Sequence, residues 1–127
     1  MKNKKYDLED RLIDFGVLII KIAEQIGNTI PGKHLGGNLI RSGTSPAFNY
    51  GEAQGAESRR DFIHKMKICL KELRETRVGL KFLNKLPFEH VRSLLDEALP
   101  ENEELISIFV KSIETAQTNL KSDEKNR

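Results

Sequence analysis

A repeating step of four and three residues between apolar side chains constrains this chain more than any other feature. Leu8, Leu12, Phe15, Ile19, Ile22 and Ile26 keep that step through the first segment. Such spacing lays one apolar row along a helix that packs nearly parallel to its neighbours. Gly27 and Asn28 then supply a helix stop. Phe62, Met66, Cys69, Leu73, Thr76, Leu80 and Leu83 repeat the step farther along. Just ahead of them, Ser58 and Asp61 have the spacing of a capping box, and Pro87 ends the run. A helix from Ser58 to about Lys85 would be roughly 40 Å long.

The other segments are less regular. From about Lys33 to Ala56 the row Leu35, Leu39, Ser42, Pro46, Asn49, Ala53 and Ala56 predicts a helix whose inner face turns small and polar halfway. Pro46 is expected to remove the backbone bond to Ser42 and to kink this helix, unless it opens a second segment there. A short helical piece over Phe88 to Leu99 is predicted next. After it, Pro100 with Glu101, Glu103 and Glu104 reads as a new N-terminus carrying acids at the positive end of the helix dipole. Ile106, Phe109, Ile113, Ala116 and Leu120 form the last apolar row. No stretch alternates as a half-buried strand does. The expected fold is therefore all-α, an up-and-down antiparallel four-helix bundle over residues 1–120. The last seven residues, KSDEKNR at 121–127, carry no apolar side chain and are expected to form a disordered tail.

At 127 residues the chain suits one hydrophobic core. It has no run of about 18 apolar residues, which excludes a transmembrane helix. The start, MKNKKYDLEDRL, is basic but runs straight into acids and has no small-residue cleavage site, so it does not read as a secretory signal. One cysteine cannot form an internal disulfide, which is compatible with a reducing compartment.

Little in the chain suggests covalent chemistry. Gly27 to His34 follows the phosphate-binding loop pattern up to its last position. There His34 replaces the hydroxyl that would hold magnesium, and a helix leads in where a strand is needed. This segment reads as an interhelix loop. His34, His64 and His90 lie on different elements, without metal-ligand spacing to Cys, Asp or Glu. Cys69 falls in the third apolar row as a small core hydrophobe. No paired-carboxylate or nucleophile-and-base arrangement is recognisable, so no enzyme activity, cofactor or metal is expected.

Charge is informative through its distribution. The totals, 21 Lys plus Arg against 19 Asp plus Glu, nearly cancel. Ser58 to Lys81, however, holds eight basic residues against Asp61, Glu72 and Glu75, while Phe88 to Val110 holds six acids against Arg92. On the third helix Arg60, His64, Lys67, Lys71, Arg74 and Lys81 step by 4, 3, 4, 3 and 7, displaced two residues from the apolar row. This basic stripe is what contacts to nucleic-acid phosphates use, and it is also what an ordinary solvated helix face can carry. Arg59, Arg60, Lys67, Lys71 and Arg74 are the expected phosphate contacts, with Arg41 accessory.

Two further features stand out. Ile13, Val17 and Ile20 form a second apolar row on the first helix, away from its core row, and are expected to form a homo-oligomer interface. In the second helix Ser42, Ser45, Asn49 and Glu52 lie among small residues. With Glu72 and Glu75, and Arg41 or Thr76, they are expected to form a buried polar network that fixes register; a ligand site is the alternative.

Leu39 to Leu83 closely resembles the bacterial four-helix-bundle family named after proteins encoded by intervening sequences of 23S ribosomal RNA genes. Arg41, Ser42, Ser45, Asn49, Glu52, Ser58, Asp61, Phe62, Lys65, Lys71, Glu72 and Glu75 carry the resemblance in register across two helices. That family is similar in fold to the accessory variability determinant proteins of diversity-generating retroelements, pentameric barrels that bind nucleic acid and work with a reverse transcriptase. The resemblance implies a small cytoplasmic bundle, a homopentamer, with an RNA- or DNA-binding role and no catalysis. Pro46 and Phe48 depart from the family's pattern, which bears on the placement of Asn49 and Glu52.

Two functions follow as expectations. The first is backbone binding of nucleic acid with little sequence discrimination, since the chain has few aromatic residues to stack on bases. The second is a protein-interaction module that docks a polymerase or another helical protein through the first helix or through its charged ends.

Overall fold

The structure, a computed structural model, describes residues 7–126. Helix α1 spans Leu8–Ile26, α2 spans Ile30–Gln54 and α3 spans Arg59–Lys85. A single 3₁₀ turn at Glu89–Val91 leads into α4, Arg92–Lys125. Three helices begin on side-chain caps that accept otherwise unpaired amides. Asp7 Oδ1 accepts from the Asp10 amide at 3.2 Å, Thr29 Oγ1 from Gly32 at 3.0 Å and Ser58 Oγ from Asp61 at 3.0 Å.

Each helix packs against the next in sequence, and α1 meets α4 to complete the bundle. The short connections allow no crossover, so neighbours run antiparallel. Side-chain pairs show the same direction. From α2 to α3 the partners are Ser42 with Thr76, Pro46 with Cys69 and Glu52 with Lys65. From α3 to α4 they are Arg59 with Asp123 and Arg77 with Glu103.

The four-three rows form the core. Phe15, Ile19, Ile22 and Ile26 from α1 are buried against Met66, Cys69, Leu73, Leu80 and Leu83 from α3 and Leu105, Phe109 and Ile113 from α4. Tyr50 of α2 meets Phe109 edge to face with ring centroids 6.0 Å apart. Burial pushes the Tyr50 phenol pKa up, and it raises the Cys69 thiol to about 12, so Cys69 is a neutral core side chain.

Pro46 lies inside α2, which continues through it as one helix with no second segment opening there. Two sequence expectations are corrected. Pro100 does not start a helix; it lies inside α4. The reason is an inner row that runs across the proline: Leu95 and Ala98 before it, and Asn102 and Leu105 after it, are all buried. Pro100 itself is exposed, so the Asp96 carbonyl that it deprives of a helical donor can turn to water. The tail is the second case, because residues 121–125 extend α4 beside the start of α3, where Asp123 and Glu124 pair with Arg59 and Arg60. Arg127 lies outside the described residues.

Close approach of α2 to its neighbours requires glycine at two positions. A Cβ on Gly32 would lie 1.6 Å from the Ile26 carbonyl oxygen, and one on Gly43 would lie 2.8 Å from Ile19 Cγ2. Gly37, on the outer face of α2, has open space around its missing Cβ. Gly32→Ala should therefore lower the free energy of unfolding by about 2 kcal/mol or more through overpacking. Gly37→Ala should raise it by about 0.5–1 kcal/mol through helix propensity. Urea denaturation of both variants at one protein concentration checks the opposite signs.

Candidate nucleic-acid interface

The inner row of α3 faces the core, its two flanks meet α2 and α4, and the remaining face is solvated. Arg60, His64, Lys67, Lys71, Arg74 and Lys81 all lie exposed on that face. The structure then separates these cations by whether they have partners. Arg59 pairs with Asp123 at 2.9 Å, and Arg60 pairs with Glu124. Arg77 reaches Glu103 at 3.1 Å, and Lys65 reaches Glu52 at 2.7 Å. Arg41, expected as an accessory phosphate contact, is held between Glu72, at 3.0 Å, and Glu75. Lys67, Lys71 and Arg74 make no ion pair among the described residues, and neither do Lys81 and Lys85.

Four of the six acids of the Phe88–Val110 segment are paired in the same way, Glu89 with Arg92 among them. Glu101 and Glu104 of α4 both bind Arg11 of α1, each at 2.8 Å, while Glu103 takes Arg77. Hydrogen bonds that Arg11 donates to Glu101 and to Glu104 push its pKa farther up and fix its charge. Exposed pairs of this kind add little stability. They do remove local excess charge, and on α3 the cations left without an ion pair among the described residues fall in its middle and C-terminal half, while Lys21, Lys33, Lys111, Lys121 and Lys125 are scattered unpaired cations on the other helices.

The single buried polar network predicted for Ser42, Ser45, Asn49, Glu52, Glu72 and Glu75 does not form. Only Ser42 of this set is buried, where its hydroxyl accepts from Thr76 Oγ1 at 2.8 Å. Asn49 Nδ2 donates within its own helix to Ser45 Oγ at 2.9 Å. Glu52, Glu72 and Glu75 end in the interhelical ion pairs already described. The α2–α3 seam is closed by Leu39 on Gly79 and by Ser42 on Thr76, and the longer polar side chains lie at its rim. The buried polar group that the sequence reading missed is Asn102, whose Nδ2 donates to the Leu73 carbonyl at 3.2 Å. It interrupts an otherwise apolar row, and the position of Pro100 hid that row.

Ile13, 46% exposed, and Val17, 44% exposed, line a groove between α1 and α2 together with Ile20, Ala47 and Phe48. Phe48 is 74% exposed. A second groove, of about 570 Å³, runs between α2 and α3 past Pro31, His34, Asn38, Val78, Phe82 and Leu86. Val78 and Phe82 were also missed, although the sequence carries their signal. The basic stripe steps by seven from Arg74 to Lys81, and Val78 occupies the helical position skipped by that step. Among the described residues, no three of His, Cys, Asp or Glu come together as a metal site, and no helix is long and apolar enough to cross a membrane.

No family model matches this sequence, and no curated protein does. A solved structure does. It is a protein of unknown function from the S23 ribosomal protein family of Bacteroides thetaiotaomicron, 30% identical, covering 83% of this chain and 96% of its own, with a TM-score of 0.70. With that identity held over nearly the whole length of the relative, the chain belongs to the S23 ribosomal protein family.

Proposed function

We propose that this protein is a non-catalytic, homo-oligomeric bundle that binds RNA or DNA backbone through α3 with little sequence specificity. The carrying observation is the selective pairing of its cations. Arg41, Arg59, Arg60, Lys65 and Arg77 are compensated by acids, whereas Lys67, Lys71 and Arg74 make no ion pair among the described residues and share one exposed ridge. Cations of that kind replace the counterions of phosphates and position a nucleic acid without reading its bases. The ribosomal family name of the solved relative supports the same direction.

Self-association is supported by the α1–α2 groove, whose exposed apolar side chains Ile13, Val17 and Phe48 lie together. The resemblance to the intervening-sequence-encoded family supports a cytoplasmic homopentamer, and that family's likeness in fold to the accessory variability determinant proteins supports a reverse transcriptase or another protein as a partner. Several copies of the α3 ridge around one axis would build a field that a single copy lacks.

Changing Lys67, Lys71 and Arg74 together to Glu should abolish binding of mixed RNA and DNA at low salt while leaving the helical circular dichroism intact. Full affinity in that variant would contradict the assignment. Val17→Glu should convert the oligomer to a 14.5 kDa species in light scattering. A wild-type protein that already runs at that mass would remove the oligomer. Salt-insensitive capture of one stoichiometric protein, without nucleic acid, would instead favour docking of a helical partner on the same α1 face.

A further inference from the structure

The α3 ridge changes character along its length. Lys67, Lys71, Arg74, Val78 and Phe82 follow one another at steps of 4, 3, 4 and 4, so the cations run directly into two apolar side chains on the same face. Val78 is 53% exposed and Phe82 is 55% exposed. Lys81 and Lys85 flank them and have no acidic partner among the described residues. Phe82 lies about 12 Å along the helix from Arg74. An extended strand covers that distance in a few nucleotides.

Beside these two residues the α2–α3 groove offers an apolar wall and a polar rim. Pro31 and Leu86 continue the wall, while His34 and Asn38, 3.5 Å apart through Nε2 and Nδ2, stand exposed on the rim. Its floor is closed by Leu39 packed tightly on Gly79, where a Cβ would lie 2.7 Å from Leu39 Cδ2. The groove therefore does not open into the core.

We infer that the Phe82 groove takes an unstacked nucleobase, so that the ligand of the ridge is single-stranded rather than duplex nucleic acid. The inference rests on the proposed backbone contacts at Lys67, Lys71 and Arg74 and adds what the strand does beyond them. Charge complementarity selects an anionic polymer. Among anionic polymers, a single strand also offers flat apolar faces to an aromatic ring and hydrogen-bonding edges to an imidazole and an amide. A duplex keeps its base faces stacked inside and would leave Phe82 and Val78 against solvent or phosphate.

Fluorescence anisotropy on the full chain tests this with a labelled 12-nucleotide oligouridylate, a 12-base-pair duplex and a polyglutamate peptide at one salt concentration. Wild type should bind the single strand more tightly than the duplex. Phe82→Ala should lose roughly 5- to 100-fold in single-strand affinity. It should keep its duplex affinity and salt slope, and Phe82→Trp should restore single-strand binding. Wild-type single-strand affinity in Phe82→Ala, with Lys71→Gln still weakened, would overturn the base site and leave the phosphate contacts standing. Equal losses on single strand and duplex, polyglutamate binding as tight as oligouridylate, or a changed light-scattering mass in Phe82→Ala would each overturn it as well. No binding of any nucleic acid by wild type would remove both the base site and the backbone reading.

Discussion

The close approach of α2 to the helices on either side is the constraint on which the rest of the structure depends. Gly32 and Gly43 admit α1 to within van der Waals contact, and Gly79 of α3 gives way to Leu39 of α2. At such distances long polar side chains of α2 have no room between the helices. Arg41 and Glu52 therefore reach outward to Glu72, Glu75 and Lys65 and pair across the α2–α3 seam at its exposed edge. The same packing leaves apolar groups of α1 and α3 standing proud on either side of α2: Ile13 and Val17 on one flank, Val78 and Phe82 on the other.

Charge is sorted by this arrangement. Acids of α4 take Arg11, Arg59, Arg60 and Arg77, and acids of α2 and α3 take Lys65 and Arg41, so opposite charges cancel along the α1–α4, α2–α3 and α3–α4 seams. Lys67, Lys71 and Arg74 are exposed and make no ion pair among the described residues. The near-zero sum of the sequence thus conceals a localised positive ridge, because cancellation happens at the seams and not along the outer face of α3. This placement is what favours an external anion over a merely solvated surface.

Much of this was legible in the residues. The four-three rows of α1 and α3 identify helices, core and topology, since a row of that period can be buried only against parallel or antiparallel partners. The exposed cations of α3 follow from the same count. Pro100 misled because local chemistry favours it at a helix start, while the buried row through Leu95, Ala98, Asn102 and Leu105 holds α4 together across it. The polar tail misled because composition takes no account of Arg59 and Arg60 waiting at the start of α3. Ion pairing was the least legible property. Whether Arg41 is free or held depends on which acids another helix brings beside it, and spacing within one helix does not contain that information.

The most direct test of the central claim is the salt dependence of nucleic-acid binding by the wild-type chain. Three exposed cations of the ridge that displace counterions predict a slope of about −2 to −3 in log affinity against log salt for each chain engaged. A slope near zero would contradict the claim, because binding would then owe nothing to the ridge formed by Lys67, Lys71 and Arg74.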